Sequence, residues 1–509
     1  MEKVINLSSK GISAVFWGGF GSILRALLQI GTQIILARIL GPVEYGIFAI
    51  AATILSFSKF FSDIGISYGL IQKKTITDND IKFVFTWQVI LGIVVSLIVF
   101  FLAGPLSTFF NEPRLVPVIE VASVICFINA VCSPSLNLLK RELDFRSMQV
   151  AHIIGYIVGY IFIGIPMALN GNQVWALIAA FISSEAINFI LLYRKARHPV
   201  GIVLRQHDDG GLMSYGIKVF GTNLVNWIIG NVDRVIIGRM FPTAQVGFYS
   251  LSYNLVSSPT ITTIGVIQSA LFSTSARVQD DFNRLRKALL TMIGAVTLLL
   301  FPVFFGIAAA SETILHSLYG ASWLGATELL RPIALAMPLY LLLGMATPLL
   351  WVAGRTKTEF FIQIPIAVAF TAAAVIGAHY SLEAVAWTVF GMYFIRAAAI
   401  LGMTCRALEI SLRRIMRTMS GGLITTFNTT VAILLTDFGT RELTAMPSLW
   451  LAADVAAGVI GIVASLWIFP TLVNRHVAQL FEKIALRLPS GTANRLQRFL
   501  YRGQMKRSM

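Results

Sequence analysis

Arg25, Lys59, Lys218, Arg234 and Arg396, and against them Asp63, Glu120, Glu185, Asp233 and Asp454, all lie inside runs of otherwise apolar residues. A charge within hydrocarbon is costly unless it meets a counter-charge, a water-filled cavity or a ligand, so such side chains mark working parts by default. Arg25, Lys59, Asp63, Lys218, Asp233 and Arg234 fall on the first, second and seventh of these runs. Guanidinium and ammonium groups held there can replace water around phosphate oxygens without forming a covalent bond. Arg25, in "GSILRALLQ", has no acid three or four residues away and needs a partner from a ligand or another helix, which favours a cavity role over a structural bond. Lys59 and Asp63 stand four apart, so a local ion pair explains both equally well. Lys218, near the inner end of its run, has the stem length to snorkel to headgroups. Asp233 and Arg234, near the outer end, point in different directions and are expected to pair across helices or with Arg38 or Arg239. Glu185 and Arg396 suit bonds that stabilise a lobe. Asp63, Asp233 and Glu185 each have the chemistry to carry a coupling proton or cation, and nothing in the sequence selects one.

Enzyme chemistry finds little support. There is no phosphate-binding glycine loop, no Gly-x-Ser-x-Gly and no Cys/His cluster, so neither ATP hydrolysis nor a metal or other cofactor is expected. The six histidines are scattered, and Cys126, Cys132 and Cys405 lie inside apolar runs as packing residues.

The elements that must position these charges are membrane-spanning helices. Of the 509 residues 56% are apolar and 13% charged, about half the charged fraction of an ordinary soluble domain. Lipid leaves the backbone no partner but itself, and the alternation of barrel strands is missing, which points to an all-α polytopic membrane protein. About fourteen spans are expected, at 12–36, 45–66, 83–103, 115–136, 148–169, 173–193, 213–238, 245–272, 288–310, 327–352, 359–379, 382–405, 420–436 and 448–469. The outer loops then hold only Arg38, Arg114, Arg239, Arg331 and Arg441. Most of the other Lys and Arg fall on the opposite side, which places both termini in the cytoplasm. The net charge of +16 is therefore a matter of topology and does not point to nucleic acid. Beyond the last span, Val473, Val477, Leu480, Phe481, Ile484 and Leu488 alternate with Arg475, Lys483 and Arg487 at helical spacing, as in a basic amphipathic helix lying on anionic lipid.

An internal repeat organises the chain. "QIILARILGPVEYGIF" placed over "RVIIGRMFPTAQVGFY" at an offset of 201 residues aligns Arg38 with Arg239, Gly46 with Gly247 and Phe48 with Tyr249. Six spans separate the copies, so they share one orientation, and the halves are expected to be related by a pseudo-twofold axis along the membrane normal. The expected domains are 1–200 (spans one to six), 201–410 (spans seven to twelve), 411–470 (two extra spans) and 471–509 (the basic tail). Arg38 and Arg239 are assigned to the outer mouth or to contacts between lobes.

"LARILGPVEYGIF", "FSDIGISYGLIQKK", "NVDRVIIGRMFPTAQVGFYSLSYNLV" and "SARVQDDFNRLRK" together resemble the polysaccharide transporters of the multidrug/oligosaccharidyl-lipid/polysaccharide exporter superfamily, the Wzx-type flippases. The resemblance covers about residues 10 to 410 and leans toward the colanic acid and exopolysaccharide branch; "FPTAQ" departs from the family's Gly-Pro turn in the second copy. It implies two six-helix lobes around a cationic cavity lined by spans one, two and seven. It further implies a bacterial inner-membrane protein that moves undecaprenyl-pyrophosphate-linked repeat units to the outer leaflet, with the lipid-linked oligosaccharide, membrane lipids and other polysaccharide assembly proteins as partners. Two other readings remain open: a cation-coupled drug antiporter of the same superfamily, which would want an acidic and aromatic cavity, and a polysaccharide polymerase or ligase, which would want catalytic residues on larger outer loops.

Overall fold

The computed structural model describes residues 2–63, 65–73, 75–205, 211–275, 282–444, 446–474 and 477–479, with backbone alone at 2–16, 63, 72, 211–223, 269–275, 282 and 356. Among these residues every regular element is helical. Among the described residues eleven helices are long and apolar enough to cross a membrane. The first of them, Trp17–Ser62, carries two of the expected spans, because its helix α1 (Glu2–Asp63) breaks at Gly41. The seventh and eighth expected spans correspond to α6 (Gly211–Met240) and α7 (Thr243–Ser275), both of which adjoin residues outside the described set.

The chain divides by packing into two compact units, Met1–Leu251 with Thr371–Leu382 and Ser252–Phe370 with Glu383–Met509. This division follows contacts, whereas the expected boundary near residue 200 follows the repeat, so α6 sits with the first unit. The first unit also contains α2 (Asp78–Phe101), α3 (Val124–Arg141), α4 (Phe145–Tyr156) and α5 (Val174–Ala196). The second is built on α8 (Phe282–Leu299), α9 (Thr327–Val352), the part of α10 (Thr356–Tyr380) up to Phe370, α11 (Leu382–Ala407) from Glu383 on, α12 (Leu412–Leu443) and α13 (Pro447–Ile468).

Local sequence explains the breaks. Gly41 has φ 73° and ψ 177°, a conformation open to glycine, and Pro42 restarts the helix with its φ already set. The reversal is tight enough for the Tyr45 hydroxyl to reach the Gln33 carbonyl at 3.3 Å. Thr77 starts α2 with a capping box, its hydroxyl accepting from the Asp80 N–H at 3.2 Å while Asp80 accepts from the Thr77 N–H at 3.0 Å. Beyond α4 the backbone loosens into a π-helical stretch, Ile157–Gly164, before returning to an α-helix at Ile165–Leu169.

The turn at 41–46 and its echo at 243–247 pack on each other within the first unit. A Cβ added at Gly46 would lie 1.9 Å from the Thr243 carbonyl oxygen, and one added at Gly247 would lie 2.0 Å from the Pro42 carbonyl oxygen. At the repeat offset Pro42 is equivalent to Thr243 and Gly46 to Gly247, so each contact is the other with its partners exchanged, the signature of a local twofold. The repeat therefore has a physical reason at these glycines: two backbones meet where no side chain fits.

The basic tail departs from expectation at its start. Val473, Val477 and Ala478 are buried against Leu298, and the Asn474 amide donates to the Thr418 carbonyl at 3.3 Å, so this turn docks on protein instead of lipid. The remainder of the amphipathic pattern, from Leu480 to Leu488, lies outside the described residues.

Gly46→Val and Gly247→Val should each destabilise the protein by on the order of 1–3 kcal/mol through overpacking. Gly31→Ala, where an added Cβ meets nothing within 4 Å, should leave stability unchanged or slightly raised. Thermal unfolding of the detergent-solubilised protein checks this, and equal midpoints for all three would contradict the tight seam.

Candidate functional site

Three helices of the first unit converge on a group of polar residues. On α4, His152, Tyr156 and Tyr160 recur every fourth residue and so share one side, the last of them carried by the π-helical continuation. On α5, Ser184, Glu185 and Asn188 face them. Gly155 and Gly159 bring the two helices together: added Cβ atoms would fall 2.7 Å from Asn188 Oδ1 and 2.5 Å from the Ala180 carbonyl oxygen. That close approach, legible as small-xxx-small spacing, sets the Asn188 amide beside His152. The rings of Tyr156 and Tyr160 stack with centroids 4.5 Å apart.

Helix α1 supplies the cations. Glu185 interacts electrostatically with both Lys59 and Arg25, and His152 feels Arg25, Lys59 and Lys140. On the same stretch of α1 as Arg25, the Thr32 hydroxyl hydrogen-bonds with that of Tyr156, and the Gln149 amide of α4 donates to the Ser22 hydroxyl at 3.2 Å. Arg25 and Glu185 are half-buried, while Lys59 is exposed. Two cations thus share one carboxylate, leaving a surplus positive charge among tyrosines and an imidazole. Arg25, with no acid nearby on its own helix, interacts electrostatically with Glu185 on another, a residue the sequence assigns instead to a lobe-stabilising bond.

Other expected site residues fall elsewhere. The side chains of Asp63 and Lys218 lie outside the described residues, so the Lys59–Asp63 pair is undescribed, whereas Lys59 does act on Glu185. Asp233 is buried and accepts from the Tyr249 hydroxyl, and it feels Arg234, whose guanidinium also donates to Asn231 at 3.4 Å. These form a group around Tyr249, not around Arg38 or Arg239. Arg239 is exposed, its guanidinium 5.5 Å above the Phe109 ring, and Arg38 is exposed as well. Glu120 is half-buried on Leu115–Ala122. In the second unit Arg396 donates to Gln363, which donates at 2.6 Å to Glu359, a bond that ties α11 to α10 and fits a structural role. Asp454 is buried there against Asp437.

Glu44, in the first turn, was missed. It is 8% exposed, accepts from Arg114 at 2.7 and 2.8 Å, and takes the Val174 N–H at 3.0 Å at the start of α5. One carboxylate so joins three connections on one side of the unit, and the helix N-terminus adds favourable dipole. Its partners lie 70 and 130 residues away, and a local pattern carries no sign of them. His152, Tyr156, Tyr160 and Asn188 were missed as well; the only signal was polar groups at four-residue spacing inside an apolar run.

The helical, multiply spanning fold is that of membrane transporters. It aligns with a solved lipid II flippase MurJ in an inward closed conformation at TM-score 0.73 and 14% identity, covering 89% of this chain and 98% of that one. It also aligns with an inward-facing multidrug-resistance MATE transporter at TM-score 0.61 and 13% identity, covering 76% and 94%. Residues 35–328 match the polysaccharide biosynthesis protein family, and the chain belongs to that family. It is similar to the succinoglycan biosynthesis transport protein ExoT of Rhizobium meliloti, 26% identical over 69% of this chain and 71% of that protein. It is similar as well to the lipopolysaccharide biosynthesis protein WzxC of Escherichia coli, 22% identical over 80% and 85%, and to the teichuronic acid biosynthesis protein TuaB of Bacillus subtilis, 20% identical over 70% and 74%. By family and fold the chain is a membrane transport protein of polysaccharide biosynthesis and not an enzyme.

If Arg25 and Glu185 sustain each other, removing either leaves the other charge uncompensated, and removing both costs less than the sum. A double-mutant cycle with Arg25→Ala and Glu185→Ala should show a coupling of about 0.5–3 kcal/mol in thermal unfolding. Strict additivity would contradict the pairing.

Proposed function

We propose that the protein translocates undecaprenyl-pyrophosphate-linked oligosaccharide repeat units from the inner to the outer leaflet of a bacterial cytoplasmic membrane, supplying exopolysaccharide, capsule or O-antigen assembly. Both termini are cytoplasmic in this reading, and the two lobes alternate access to a cationic chamber. The observation that carries it is the surplus positive charge of the Arg25–Lys59–Glu185 group. A pyrophosphate passing through a low-dielectric interior needs fixed cations in place of its lost water. Arg25 offers a planar fork of donors to phosphate oxygens, and Lys59 a mobile ammonium. Glu185 holds them in place between substrates, and the tyrosines, imidazole and amide around it are suited to sugar hydroxyls. The relatives are named for different polymers at similar identity, so the reading takes the lipid carrier, and no one glycan, as the recognised part. A drug antiporter selecting organic cations would want the opposite balance of charge.

Cells lacking the gene should lose a surface glycan and accumulate its lipid-linked repeat unit on the inner leaflet. Complementation with Arg25→Ala should restore less export than wild type while the protein still accumulates in the membrane. Unchanged glycan together with new sensitivity to cationic dyes would overturn the reading; full export by Arg25→Ala would remove that residue from the chamber.

A further inference from the structure

An acidic group in the second unit has no part in that chemistry. Asp437, within two turns of the end of α12, accepts from the Thr313 hydroxyl at 2.5 Å and from Arg441 Nε at 3.0 Å. Arg441 is fully engaged: besides Asp437 it pairs with Glu312 at 2.8 Å, donates to Thr313 Oγ1 at 3.1 Å and lies 5.5 Å above the Trp450 ring. Across from them, two turns into α13, Asp454 is 3% exposed and turns its carboxyl toward that of Asp437, close enough to share a hydrogen. Among the described residues neither Asp454 oxygen has a hydrogen-bond donor.

Among the described residues, the charged groups nearest this end of α13 come from the elements packed on it. From α12 come Asp437 and Arg441, from Ser311–Ile314 comes Glu312, and from Leu315–Tyr319 comes His316, whose ring stacks on Trp450. The other segments packed on α13, Phe301–Ala309 and Pro470–Leu472, contain no ionisable side chain.

A buried carboxylate stripped of water with no donor in return is untenable, and two adjacent carboxylates cannot both stay ionised. Arg441 and Thr313 already stabilise the charge on Asp437, so the missing donor has to be on Asp454 itself. A proton there supplies it, with the Asp454 O–H donating to an Asp437 oxygen. We propose that Asp454 and Asp437 form a proton-binding site, a carboxylic acid paired with a carboxylate, between the last two helices. The pair lies within two turns of the connection joining α12 to α13, which is the extracytoplasmic side in the orientation proposed above.

Infrared spectroscopy of the full-length protein in lipid tests this without reference to transport. At neutral pH the wild type should show a protonated-carboxyl C=O absorption that shifts in deuterium oxide, persists in Asp454→Glu and is lost in Asp454→Asn. Because the Asn amide can also donate to Asp437, the Asn variant should keep a near-wild-type unfolding midpoint, whereas Asp454→Leu should fall below it. If the Asn variant fails to accumulate, loss of the same absorption in Asp437→Asn serves instead. A wild-type spectrum without the band, a band unchanged by both Asn substitutions, or a band abolished by sodium at constant pH would overturn the proposal.

Discussion

The structure turns on one constraint: a charge held in the membrane interior must find its partner inside the protein. Arg25 has none along its own helix, and the chain supplies Glu185 from α5, with Lys59 from the second half of α1 acting on the same carboxylate. Beside them α4 and α5 lie almost backbone to backbone, which is what Gly155 and Gly159 permit. The π-helical stretch Ile157–Gly164 begins within this approach, includes Gly159, and carries Tyr160 to its place over Tyr156. Such local widening of a helix is common where side chains have functional aims.

The same rule, applied elsewhere, gives structural pairs. Glu44 is closed off by Arg114 and the Val174 N–H, and Glu359 by Trp351 and Gln363. Each of these has its donors within reach and no cation to spare. The Arg25 group differs in having more positive charge than its carboxylate can neutralise, and the Asp437–Asp454 group in having fewer donors than its oxygens need. Imbalance of charge or of hydrogen bonding, not burial alone, is what distinguishes a place where something binds.

The spans were legible because hydrocarbon sets their length and composition residue by residue. Helices such as Thr327–Val352, Leu382–Ala407 and Pro447–Ile468 follow the apolar runs closely. The turn at Gly41–Pro42 was legible too, since both residues state their backbone preference locally. Glu44 with Arg114, or Arg25 with Glu185, depend on which helices become neighbours, and a sequence read along its length has no such information. The repeat gave one long-range hint, the alignment of Gly46 with Gly247. Their crossed packing on Thr243 and Pro42 is the feature in which local pattern and tertiary contact coincide. The extent of each packed unit was not legible, because the 201-residue repeat describes ancestry of sequence and says little about which helices bury surface together.

The central claim is that cations fixed in the first unit carry a lipid-linked pyrophosphate between leaflets. The most direct measurement uses the purified full-length protein in proteoliposomes containing a polyprenyl-pyrophosphate-linked oligosaccharide, and follows sugar exposure to a lectin that cannot enter. The account predicts rapid exposure with wild type and roughly tenfold or more slowing in Arg25→Ala and in Lys59→Ala, the loss expected when a charge-assisted contact is removed. Equal rates in all three proteins, or no movement of the lipid-linked sugar by any of them while organic cations cross in exchange for protons, would contradict it.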